Sequence, residues 1–193
     1  MSTDPLVALA HTCPAQPFFC EENAWLRCRA AIDAGFAARA VWITNARRAV
    51  PVWSQRAASD VNEPVLWDYH VVALVGPIGE AGDLVVLDAD CTAGPVLPLA
   101  VWRAASFPIE VPGHEPSFRV VDGARFIAHF ASDRRHMRDA AGTFLHPAPP
   151  WPAIHAERGS NLDAYLDVDD DALGRWSALA GLAATPSPQR SPR

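Results

Sequence analysis

Trp67-Asp68-Tyr69-His70-Val71 stands near the start of a β-rich run, residues 65–75, and the next such run, residues 84–88, ends in Asp88. Gly76, Pro77, Gly79 and Gly82 separate the two, so the pair reads as a hairpin with a longer loop. A loop centred on Gly79 sets His70 opposite Asp88, with Cβ atoms about 5 Å apart. A two-residue slip sets His70 opposite Asp90 on the same face, whereas a one-residue slip separates imidazole from carboxylate.

Upstream of that hairpin, Pro14 and Pro17 keep the chain extended, and Trp25, Cys28, Ala31 and Ile32 then recur at helical spacing. The spacing predicts a helix over residues 20–34, opened by Cys20 and closed by Gly35 just past its end. A thiol, an imidazole and a carboxylate in this chain order can act as nucleophile, base and orienting group. Singly, a small buried cysteine, a core histidine and a turn-forming aspartate also fit Cys20, His70 and Asp88; their conjunction points to a cysteine-dependent amide hydrolase. The helix dipole and a nearby imidazolium favour thiolate, while Glu21 and Glu22 oppose it, which leaves His70 to carry most of the activation.

Residues 41–44 and 49–53 read as hairpin strands around a turn at 45–48, with Pro51 suggesting an edge. After Pro98 the chain is less periodic. Residues 118–121 resemble a strand, 124–130 a short amphipathic segment, 132–138 a capped turn and 146–152 a proline-rich loop. Short helical patterns follow at 161–165 and 171–182. A helix first and antiparallel strands afterwards make an α+β order.

Half of the 193 residues are hydrophobic, enough for one sizeable core, so a single catalytic domain over residues 1–183 is expected, with a Pro/Ser/Arg-rich, disordered tail at 184–193. Sixteen basic against twenty-two acidic residues give a formal charge of -6, which argues against nucleic acid as the main partner. No apolar run approaches the roughly 20 residues that span a bilayer, and the N-terminus lacks a secretory pattern. A cytoplasmic protein without a membrane partner is the expectation. Cys13, Cys20, Cys28 and Cys91 form no CxxC pair, and the seven histidines form no HxxxH or HxH pair, so free thiols and no metal site are expected.

Three segments carry a resemblance: Phe19-Cys20-Glu21-Glu22-Asn23-Ala24-Trp25, Trp67-Asp68-Tyr69-His70-Val71-Val72 and Phe130-Ala131-Ser132-Asp133-Arg134-Arg135-His136-Met137. Weaker echoes are Thr44-Asn45-Ala46-Arg47-Arg48, Pro51-Val52-Trp53, Leu87-Asp88-Ala89-Asp90, Pro149-Pro150-Trp151-Pro152 and Asn161-Leu162. Together they resemble the protein N-terminal glutamine amidohydrolases, the WDYHV-motif family, over residues 12–170. The pattern departs after Ala89, where Cys91-Thr92-Ala93-Gly94-Pro95 replaces an apolar stretch.

The resemblance implies a monomeric papain-like or transglutaminase-like enzyme with Cys20 as nucleophile, His70 as base and Asp88 as orienting carboxylate, and no cofactor. The family's reaction converts an N-terminal glutamine of a protein or peptide to glutamate and releases ammonia; in eukaryotes it feeds the N-degron pathway. Restriction to N-termini calls for a carboxylate to hold the α-ammonium, for which Glu21, Asp68 and Asp90 are the candidates, with Glu22 also nearby in sequence. Asp68 shares a strand face with His70 by parity, Trp67 and Tyr69 are expected on the opposite face, and residues 132–137 form a candidate loop over the site. Two other readings share the residues: a deamidase or acyl transferase acting on internal glutamines, and a non-catalytic module that binds N-termini.

Overall fold

The expected helix is present as Cys20–Asp33, here α2, and a shorter helix, α1, precedes it over Pro5–Thr12. The computed structural model describes residues 5–76 and 84–179. Asn23 ties down the approach to α2, because its side-chain oxygen accepts from the Gln16 amide and its side-chain nitrogen donates to the Gln16 carbonyl, both at 2.8 Å. At the other end Gly35 takes φ 86°, its N–H reaches Ile32 and that of Phe36 reaches Ala31. That is a Schellman stop, and glycine supplies its left-handed residue at no steric cost.

Six antiparallel strands form the main sheet: β1 (Ala37–Thr44), β4 (His70–Gly76), β5 (Val85–Leu87), β6 (Val96–Pro98), β7 (Ser117–Asp122) and β8 (Trp176–Ala178), in the order β6-β5-β4-β1-β7-β8. The remaining strands, β2 (Val50–Val52) and β3 (Val65–Trp67), pair with each other in a separate ribbon. Thus the 49–53 segment is a strand, but its partner is β3 and not the strand before it. The 65–75 run also breaks in two at Asp68 and Tyr69.

Both faces of the sheet are covered, which explains why β4 is buried at every position and shows no alternation. One face receives α2 and α4 (Gly123–His129) over a layer centred on Trp42, whose ring stacks on Tyr165 at 4.8 Å between centroids and meets Phe126 and Phe130. The other face packs Val72, Leu74 and Phe118 against Trp102 of α3 (Leu99–Ser106). Burying one such side chain contributes about 3 kcal/mol. α4 begins so close to β1 that a Cβ on Gly123 would lie 2.4 Å from the Ala38 carbonyl oxygen, so that position requires glycine.

The antiparallel α+β arrangement and the helix packed on the sheet are therefore as the sequence implies. α1 and α3 went unread, and a further reading is corrected: residues 171–179 form a turn and β8 where a helical pattern was expected. The β4–β5 loop and the tail at 184–193 lie outside the described residues. The fifth helix, α5 (Leu162–Leu166), is held by Arg119 of β7, whose guanidinium donates to the carbonyls of Ala164, Tyr165, Asp167 and Asp170. A cation against those late carbonyls is the favourable end of the helix dipole.

Candidate active site

β4 and β5 pair with Ala73 opposite Leu87, the register two residues displaced from a Gly79-centred hairpin. Their ladder ends at that pair, and Asp88 still reaches His70: Nε2 lies 3.2 Å from both Oδ1 and Oδ2. Two more donors fix the carboxylate, the Asp90 amide on Oδ1 at 3.0 Å and the Trp102 indole on Oδ2 at 3.1 Å. Burial alone raises the pKa of Asp88, but the His70 charge and these donors outweigh it, so the carboxyl lies below its ordinary value. Burial likewise lowers His70, and the Asp88 charge and hydrogen bond reverse that, leaving the imidazole above its ordinary value. With Nε2 committed to Asp88, Nδ1 is the free nitrogen, buried and without a hydrogen-bond partner among the described residues.

Trp67 stacks on the imidazole at 5.8 Å with the rings 15° apart, which corrects its expected place on the opposite face. The chain breaks out of strand geometry between them, so parity does not carry across Asp68 and Tyr69.

Cys20 is 7% exposed and lies in the wall of a cleft of about 370 Å³. The Val71 backbone N–H, one residue past His70, acts on its sulfur, and the Cys20 thiol lies 3.7 Å from Glu21 Oε2. Burial pushes the thiol well above its ordinary pKa, and the charges of Glu21, Asp90 and Asp68 push the same way, with the Val71 N–H a partial offset. Phe18, two residues before the thiol, takes φ 69° and stacks on His146 at 3.7 Å, both in the wall of the cleft.

Of the carboxylates singled out, only Asp68 opens onto this cleft. It is exposed, its Oδ1 accepts from the Tyr69 amide, and it makes no ion pair among the described residues. Asp90 is 4% exposed and faces a separate hollow beside Arg27 and Arg56. Glu21 has no exposed surface; Tyr69 Oη donates to its Oε2 at 3.3 Å, and His136 Nε2 stands 3.3 Å from its Oε1, an electrostatic contact without hydrogen-bond alignment. Glu22, equally buried, is gripped by Arg134 through bonds of 2.7 Å to each oxygen and by the Trp151 indole at 2.7 Å. Arg134 also donates to the Trp151 carbonyl at 2.9 Å, so residues 132–151 are clamped onto α2.

Sequence reading missed Trp102 and the partners of Glu21 and Glu22. Leu99, Trp102 and Ser106 at helical spacing were a usable sign of the first. Asp163 of α5 also lines the cleft and was not singled out. Among the described residues no three His, Cys, Asp or Glu side chains are grouped to hold a metal ion, and no helix is long and apolar enough to cross a membrane.

Comparison with known proteins places this architecture. The chain is 32% identical over 178 residues to a protein N-terminal glutamine amidohydrolase of Arabidopsis thaliana, covering 86% of this chain and 80% of that one. The Bos taurus protein of the same name is 30% identical over 198 residues, covering 92% of each. A solved structure of protein-glutaminase from Chryseobacterium proteolyticum superposes with a TM-score of 0.35 and 16% identity over 67% of this chain and 61% of that one, too distant to inform the site. The profile of the N-terminal glutamine amidases matches residues 15–185, and the chain therefore belongs to that family.

Proposed function

We propose that this protein hydrolyses the side-chain carboxamide of an N-terminal glutamine in proteins or peptides, giving glutamate and ammonia, with Cys20, His70 and Asp88 as its catalytic residues. One observation carries the assignment of roles: a buried imidazole bonded to Asp88 through Nε2 keeps Nδ1 unpartnered, on the strand against which the helix opened by Cys20 packs.

In this reading the resting thiol is protonated, in line with its raised pKa, and His70 Nδ1 takes the proton as sulfur attacks the carboxamide carbon. The first N–H groups of α2 have no intrahelical acceptor and are available to the developing oxyanion. The imidazolium returns its proton to the leaving ammonia. Water, activated by the same nitrogen, cleaves the γ-glutamyl thioester and regenerates the thiol. Asp88, held by Trp102 and the Asp90 amide, fixes the ring and stabilises its charged form. Asp68 is the carboxylate for the substrate α-ammonium, because it alone of the three candidates is both accessible and beside Cys20 in the cleft.

Ammonia release from a Gln-initiated peptide, its acetylated twin and an Asn-initiated control tests the reading. Turnover of the free Gln peptide alone, reduced at least about 1,000-fold by Cys20→Ala, is expected. Equal turnover of the acetylated peptide would move the assignment to internal glutamines.

A further inference from the structure

α2 opens with a thiol followed by two buried carboxylates, an arrangement whose uncompensated charge opposes thiolate formation. Glu22 is neutralised by Arg134 and does not figure among the charges that raise the Cys20 thiol. Glu21 does, and touches that thiol directly. Its available counter-charge is His136, supplied by the same turn that supplies Arg134 and standing 3.3 Å from Oε1 and 3.4 Å from Tyr69 Oη. His136 is also part of the cleft wall, within reach of solvent protons through a side chain 20% exposed.

We propose that His136 is a positioning residue whose protonated form neutralises Glu21 and so permits the Cys20 thiolate, making thiol reactivity depend on a second imidazole besides His70. The inference rests on Cys20 as the reacting thiol of the proposed function. The groups facing His136 agree with it: from α2 Glu21 and Glu22, and from the break before β4 Asp68 and Tyr69, with Cys20 in the wall of the same cleft. Arg134 belongs to its own turn and is occupied by Glu22; Asp163, Arg48 and His146 also line the cleft. Burial lowers His136, yet the adjacent Glu21 carboxylate, with Glu22 and Asp68, outweighs it and raises the pKa, so the cationic form persists toward neutrality.

The test is the rate at which iodoacetamide alkylates Cys20, followed by peptide mass spectrometry across pH, in wild type, His136→Gln, Glu21→Gln and the double variant. Removing the cation alone should slow alkylation near neutral pH at least about 10-fold. Removing Glu21 as well should restore it and abolish the dependence on the second imidazole, a rescue that a merely structural His136 would not give. Wild-type reactivity in His136→Gln, or a double variant as slow as the single one, would overturn the inference. If the rescue is seen while wild type turns over no Gln peptide, the charge relation stands and the amidase reading falls.

Discussion

Glu22 meets a guanidinium through paired bonds of 2.7 Å, and a Trp indole completes its shell. Glu21, its neighbour, meets a phenol, a thiol and an imidazole, all at 3.3 Å or more. Both carboxylates are fully buried on the first turn of one helix, and both draw their cation from residues 132–138. The bidentate pair fixes where that segment lies. The looser, titratable pair sits where a thiol is close enough to feel its charge. Asp68, exposed and unpaired among the described residues, completes a graded series from structural to accessible carboxylate.

The comparison breaks most severely at Arg134. Arg134→Met leaves Glu22 buried and uncompensated, which should cost about 3–5 kcal/mol. Calorimetry should then record a melting point lower by roughly 10 °C, with Glu22→Gln in the same chain recovering much of it. Trp151→Phe removes one donor from the same carboxylate and should cost about 1–3 kcal/mol by chemical denaturation. At Asp68 the effect passes from stability to binding: Asp68→Asn should raise KM for a Gln-initiated peptide roughly fivefold with kcat little changed, and steady-state kinetics on that peptide decides it.

The smallest effect separates the two pairs by pH. His136 binds its proton more tightly in the fold than at its ordinary value of 6.5, so its contribution is complete below that value and fades as pH rises through the raised one. The melting difference between wild type and His136→Gln should therefore be under about 1 kcal/mol, largest below pH 6.5 and absent in alkali. Arg134→Met removes no imidazole and should not reproduce this dependence on the His136 proton.

What was legible follows the range of the interactions. α2 was readable to within a residue because prolines, helical spacing and a terminal glycine are local signals. His70 and Asp88 were readable as partners because strand parity survives a two-residue slip, even though the register itself was misjudged. The pairing of β2 with β3 was not, since a proline and short polar links fix no partner. Glu21 and Glu22 looked like two equal charges opposing a thiol; nothing near them in sequence marks one as neutralised by a residue 112 positions away.

That separation has a temporal side. Glu22 reaches Arg134 across 112 residues and Trp151 across 129, so on the ribosome, at about 5–20 residues per second, α2 waits on the order of ten seconds for the groups that let its first turn leave water. Contacts this distant in sequence close late and slowly. A nascent chain thus carries its thiol on a helix whose cleft has not been assembled, and the wall that shapes access to Cys20 is complete only when synthesis has passed Leu166.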